Sequence, residues 1–322
     1  MFDESARQNI EGKDAADLLE ENQKIIFGVT QGSHNLDSLI AQLPSNDSSL
    51  AKKVADNLLR VELLLFYSIG PVDHSSIQSS LKCLESLLSE PEVDDNSNAL
   101  FKVKYHDLLT DYQFCFTDST KRLRLVDLIN KKLNFLKSIC GNEPLVHDIQ
   151  LKILLLYILS EADLRKRNIY QYLKEEGVFS RGYPVPIREY VLLSTGNRLM
   201  SISAFNILTE HLSAHFPFFK HLLERHHVQL LEYYLENNIQ RLPRYFKSIR
   251  LVKIPMLLCY KQEEVDIEDL VFRMIVGKQL PEGTRIDQLQ EMVFFGPKVE
   301  KYDSMNTRMK RVCEMVDSLA IH

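Results

Sequence analysis

Glycine and proline are scarce in this chain, at 11 each in 322 residues. Long stretches therefore run without turn punctuation, which argues against a fold of many short strands and favours helices. Positive charge has no excess either: 39 Lys and Arg stand against 44 Asp and Glu, a net charge of -5. That balance leaves no electrostatic footprint for nucleic acid or an anionic membrane. The longest apolar run, Ile153 to Leu159, is far too short to span a bilayer. Met1 to Lys24 is polar and acidic with no apolar centre, so no signal peptide is expected. Cysteine is limited to Cys83, Cys115, Cys140, Cys259 and Cys313, scattered and without a C-x-x-C pair. These are expected to be reduced, mostly buried thiols of a protein of the cytoplasm and nucleus.

The motifs of common chemistries are missing too. There is no phosphate-cradling glycine loop and no G-x-S-x-G. Histidines cluster at His211, His215, His221, His226 and His227, and the first two stand at the i, i+4 spacing of zinc ligands. The segment reads H-L-S-A-H rather than H-E-x-x-H, and no cysteine or carboxylate completes a set. No catalytic, cofactor-binding or metal residue is therefore expected. Carboxylate pairs such as Glu20-Glu21 and Glu175-Glu176 read as solvated helix ends. Lys121 to Arg124 reads as a basic helix face, and Phe216, Phe218, Phe219, Tyr233 and Tyr234 as core.

What the chain does have is helical periodicity. Residues 1–48 are expected to be weakly structured, with one helix around Ala15 to Val29. Leu50, Val54, Leu58, Val61 and Leu65 then share a face, and Gly70-Pro71 ends that helix. Further helices are expected over Ser75 to Ser89, Ala99 to Phe116, Lys121 to Cys140, His147 to Leu159 and Arg165 to Glu176, with Glu92 to Asn98 a loop. Successive pairs with apolar faces suggest an α-solenoid of tetratricopeptide type over 49–195. The consensus residues of that repeat are absent, and the chain has no tryptophan. The segment R-G-Y-P-V-P, Arg181 to Pro186, predicts an extended break. Helices then follow over Ile187 to Leu193, Ser201 to Leu212 and Pro217 to Leu223. A long one runs from His227 to about Tyr245, which Pro243 should kink or end.

From there the pattern changes. A short extended piece at Ser248 to Leu251 leads to helices over Val252 to Leu258 and Asp266 to Val276, the second with Ile267, Leu270, Val271, Met274 and Ile275 inward. A turn at Leu280 to Gly283 and a hairpin of Thr284 to Gln288 with Met292 to Phe295 complete the layout of a winged helix, at about 230–297 within a domain of 196–300. DNA recognition by its second helix is disfavoured, because Glu263, Glu264, Asp266, Glu268 and Asp269 outnumber Arg273 and Lys278. The closing segment, 301–322, places Tyr302, Met305, Met309, Val312, Val316 and Leu319 at steps of three and four. That narrow seam either docks on its own core or meets helices of other chains, and its width favours the second.

A winged helix that ends a helical array and precedes a heptad helix resembles the PCI domain, shared by the proteasome lid, the signalosome and translation initiation factor three. The resemblance is carried by L-L-E-Y-Y-L-E-N-N-I-Q-R-L-P-R-Y-F-K-S-I-R-L-V-K-I-P-M-L-L at Leu230 to Leu258, M-I-V-G-K-Q at Met274 to Gln279 and R-I-D-Q at Arg285 to Gln288. It covers about a third of the chain and is closest to a lid scaffold. It implies a mainly α fold and a non-catalytic scaffold without cofactor. Its implied partners are other PCI-type lid subunits, a deubiquitinase pair, the ATPase ring and the core particle. Arg285, Ile286, Asp287, Gln288 and Phe294 would then supply lateral contacts, and Tyr302, Met305, Met309, Val312, Val316 and Leu319 a common helix bundle. A signalosome or initiation-factor subunit, or an RNA-binding protein of mRNA-export type, is the alternative. Replacing Met309 and Val312 by aspartate should leave the domain folded yet abolish its incorporation into a complex, read by co-purification; unchanged incorporation would make the seam internal packing.

Overall fold

The computed structural model describes residues 15–33, 35–43, 49–68, 73–89, 95–116, 122–136, 144–196, 198–261, 264–297 and 309–310. Among these the protein is mainly helical, with one small antiparallel sheet. The helices are α1 (Ala15–Thr30), α2 (Leu36–Gln42), α3 (Leu50–Phe66), α4 (His74–Leu88), α5 (Asp95–Asp111), α6 (Leu125–Leu136), α7 (Pro144–Leu159), α8 (Lys166–Glu175), α9 (Val185–Thr195), α10 (Ile202–His215), α11 (Pro217–Ile239), α12 (Lys253–Leu258) and α13 (Ile267–Val276). The strands are β1 (Ser248–Arg250), β2 (Arg285–Asp287) and β3 (Met292–Phe294). Two compact units divide the chain: Met1–Gly196 with Ser203–Tyr234, and Asn197–Ile202 with Leu235–His322.

In the first unit side chains with spare acceptors start the helices. Asn35 accepts from Asp37 N, Ser49 from Lys52 N, and Asp73 from Ser75 N and Ser76 N, each satisfying amides that lack an intrahelical partner. The hydrogen bonds to Asp73 hold its carboxyl down to about 2. α3 packs on α4 and α1, and α5 touches α1, α3, α4, α6 and α7. α7 buries Leu145, Val146, Ile149 and the run Ile153 to Leu156, while Asp148 near its start is exposed, so its second half is the more enclosed by neighbours.

Several boundaries differ from expectation. α1 matches the helix expected around Ala15 to Val29, and among the described residues a second, α2, capped by Asn35, also precedes Leu43. α5 begins at Asp95, inside the expected loop, and passes into a π-helical turn at Tyr112–Phe116. The extended break expected over Arg181 to Pro186 is present but ends at Pro184; Pro186 lies in the first turn of α9, because its missing N–H falls where a helix has no acceptor to offer. The break expected between Leu223 and His227 is present: α11 is two helical stretches joined at a kink, where His226 has non-helical backbone angles (φ -127°, ψ 22°). α11 stops at Ile239, and Pro243 sits beyond it in a 3-10 turn, Leu242–Arg244. Lys121 to Arg124 is not the helix face expected: residues 122–124 are non-helical. Leu123 N donates to Gln229 Oε1 at 3.0 Å, the Tyr233 hydroxyl donates to Leu123 O, and Arg122 lies over the Tyr233 ring. Of the cysteines, Cys83 and Cys259 are exposed rather than buried.

The first unit also encloses four charges. Lys132 Nζ of α6 lies 2.5 Å from Asp107 Oδ1 and 2.6 Å from Asp111 Oδ1, both on α5. Lys152 Nζ of α7 lies 2.8 Å from Asp107 Oδ2 and 2.6 Å from Asp111 Oδ2. Thr110 Oγ1 and Asp107 O accept further bonds from Lys132, and Lys152 stands 4.7 Å from the centre of the Phe218 ring. Burial pushes the Asp107 carboxyl up, but the ammoniums of Lys132, Lys152 and Lys104 outweigh it and hold it below its ordinary value. Burial dominates at Asp111, which is raised. Burial opposes the Lys152 charge, and the two carboxylates overcome it, so Lys152 is raised.

In the second unit the sheet order is β1-β3-β2, antiparallel throughout, with Ile249 and Ile286 both opposite Val293. Asp266 caps α13 through Glu268 N and Asp269 N. Pro255 falls in the first turn of α12, the tolerated place. Ile249, Ile254, Leu258, Ile267, Leu270, Val271, Met274 and Val293 are buried. Gly283 (φ +81°) is required twice over: its backbone is left-handed, and a Cβ there would lie 2.6 Å from Pro297 Cα.

Lys132→Met should cost about 3–5 kcal/mol, because it leaves two buried carboxylates sharing the single cation of Lys152. Adding Asp111→Leu should recover most of that loss, as read by urea denaturation of both variants. Equal destabilisation by the single and the double change would mean the four charges do not act as a set.

Candidate partner-binding surface

The hairpin of the second unit is built by its polar residues. Asp287 Oδ1 accepts from Gln290 N at 3.1 Å and folds the turn. Glu291 then takes a left-handed conformation (φ 51°), and its carbonyl accepts from Leu251 N at 2.8 Å. Gln288 Nε2 donates to Glu268 Oε1 at 3.0 Å, tying the hairpin to the first turn of α13. Arg285 pairs with Phe294 across the strands, its guanidinium 4.7 Å from the ring centre, a contact of about 0.5–1 kcal/mol where solvent reaches it. The sheet order leaves β1 and β2 at the edges.

Several large apolar side chains of this frame are exposed. Leu289, at the apex of the hairpin, is fully exposed (100%). Phe272 and Val276 on α13 are 57% and 66% exposed and, four residues apart, share a face. Val252 and Met256, also four apart at α12, are 50% and 61% exposed. Isolated exposed hydrophobes are ordinary on any surface, but neighbours on one helix face make a contiguous patch of the sort that partners bury.

Of the residues expected to meet partners, Arg285, Ile286, Asp287 and Phe294 are half-buried in the hairpin, and Gln288 and Met309 are exposed. Tyr302, Met305, Val312, Val316 and Leu319 lie outside the described residues, as does the seam they form. Sequence reasoning missed Val252, Met256, Phe272, Val276 and Leu289. A signal for the α13 pair was present: Phe272 and Val276 fall off the stripe of Leu270, Val271 and Met274, which is the buried one.

The histidine pair is a local contact. The His211 and His215 rings lie 4.3 Å apart, and His215 Nδ1 is 3.0 Å from His211 O. Burial, then the neighbouring His215, lowers the His211 pKa. Among the described residues no group of three His, Cys, Asp or Glu side chains is placed to hold a metal ion. No helix among them is long and apolar enough to cross a membrane. No family model matches the chain, and no curated protein matches it.

Phe272→Asp with Val276→Asp should change unfolding free energy by no more than about 0.5 kcal/mol, the range of surface substitutions away from packed features. Thermal denaturation checks this; a loss of several kcal/mol would place these side chains in the unit's own core.

Proposed function

We propose that this chain is a non-catalytic scaffold of PCI type that takes its place in a larger assembly through its C-terminal half. The observation that carries the reading is the second unit: the order β1, α12, α13, β2, β3 with sheet order β1-β3-β2, which is the layout of a winged helix, bearing uncovered apolar pairs on both helices and at the hairpin apex. The helical succession of the first unit supports a solenoid arm, and the heptad spacing of Tyr302 to Leu319 supports a helix for a shared bundle.

Within the family, E-N-N-I and Y-F-K-S-I-R-L-V-K-I-P-M-L-L resemble most the non-ATPase regulatory subunit twelve of the 26S proteasome lid. The proposed role is therefore positional. The arm and winged helix hold neighbouring lid subunits, the deubiquitinase pair and the ATPase ring in register for ubiquitin-dependent degradation, in cytoplasm and nucleus. Binding free energy comes from apolar burial, about 1.5–3 kcal/mol for each large side chain fully covered, concentrated in a few residues.

Affinity purification of the tagged full chain tests this, with the bound proteins identified. Peptidase-core and ATPase subunits are expected, and Phe272→Asp with Val276→Asp and Leu289→Asp should lose them while remaining folded. Cullins or ribosomal subunits in their place would move the chain to a signalosome or initiation-factor complex. A nuclease-sensitive association would support the RNA-binding alternative, and a chain that purifies alone would overturn the scaffold reading.

A further inference from the structure

The outer side of α13 carries a pattern of its own. Asp269, Phe272, Arg273 and Val276 fall within about 100° of one another round the helix, opposite the buried stripe of Ile267, Leu270, Val271 and Met274. Phe272 and Val276 are exposed, and Asp269 Oδ2 stands 3.0 Å from Arg273 Nε beside them. The other acids at this end of the helix are engaged: Asp266 accepts from the Glu268 and Asp269 amides, and Glu268 accepts from Gln288. The outer stripe is therefore apolar at two positions and neutral as a whole.

The order of its residues decides what such a stripe fits. Along the chain it runs acid, aromatic, base, aliphatic. Set against itself in reverse, about a two-fold axis between Phe272 and Arg273, it places the two Phe272 rings side by side at the centre. With a rise of about 1.5 Å per residue, Arg273 and Asp269 of the other copy then lie about 4.5 Å apart along the axis and on the same flank. An arginine side chain spans that distance. Val276 stands equally far from the other copy's Phe272, and the symmetry makes each contact twice. A second copy thus supplies in one surface the apolar cover, a guanidinium for Asp269 and a carboxylate for Arg273.

We infer that the outer face of α13 pairs with the same face of a second copy of this chain, antiparallel about that axis. The inference shares Phe272 and Val276 with the scaffold reading but does not rest on it. A partner that covers the face displaces the second copy, and self-association is read on the purified chain alone.

Sedimentation equilibrium of the full chain over a concentration series is the test. A reversible dimer with a Kd of about 10–100 µM is expected, weak because one short helix buries less than the roughly 1,200 Å² of stable complexes. Phe272→Asp should leave a monomer. Arg273→Asp and Asp269→Arg each line the contact with four like charges, and each should weaken the dimer at least about tenfold. An equimolar mixture of these two variants should pair, because acids then face bases again. Circular dichroism checks that every variant is folded; if a charge variant is not, the concentration series with Phe272→Asp decides alone. A chain that stays monomeric to about 1 mM, a dimer that survives Phe272→Asp, or folded charge variants that fail to pair when mixed overturns the inference.

Discussion

The first unit depends on the meeting of Lys132 and Lys152 with Asp107 and Asp111. Desolvating a single charge costs several kcal/mol, and only close, multiply bonded partners offset it. Here each lysine reaches both carboxylates, and each carboxylate spreads its two oxygens over both lysines. The arrangement is neutral as a whole. It exists only when α5, α6 and α7 are in one register, because sliding any of them by a turn strands a buried charge. Apolar packing along α7 is less selective, since Leu and Ile contacts survive small shifts. The charges therefore select one packing from among those that the hydrophobic surface would allow.

The second unit reaches definition by another route. It is small, and its strands are three residues each. Such a sheet has few ladder bonds, so its turns must be fixed by side chains and backbone geometry. Asp287 folds the hairpin, Gln288 anchors it to α13, Tyr260 Oη accepts from Val265 N at 2.8 Å between the helices, and Gly283 lets the chain pass Pro297. With those positions set, the buried faces of α12 and α13 are fully used, and Val252, Met256, Phe272 and Val276 remain largely exposed.

Much of this was legible in the sequence, and what was not has physical causes. The positions of β1, α12, α13 and the hairpin follow from alternation, the Asp266 cap and the Leu280 to Gly283 turn, all local signals. The break in α11 before His227 was expected, but that the His226 side chain is buried at it was hidden, because burial there is a tertiary matter. The ionic set was equally hidden: Asp107 and Asp111 stand at the i, i+4 spacing of an ordinary solvated face, and only Lys132 and Lys152, far along the chain, turn that face inward. Arg122 to Arg124 misled in the opposite sense. Basic residues beside an apolar helix read as its exposed edge, whereas Leu123 pins the segment to Gln229 and Tyr233 more than a hundred residues away.

The chemistry of the uncovered surface bears on what it meets. A nucleic acid is held first by phosphate contacts, which need cations, yet the first turn of α13 carries Glu268 and Asp269 beside the Asp266 cap. The exposed side chains there, Phe272 and Val276, have no charge to offer a phosphate and no hydrogen bond to offer a base edge. Their free energy of burial is realised against another apolar surface. Acidic residues at the rim of such a patch do not hinder that; they disfavour acidic partners and steer toward basic ones. A protein surface with apolar centre and basic margin satisfies both conditions at once, and this is why the proposed partners are proteins rather than RNA or DNA.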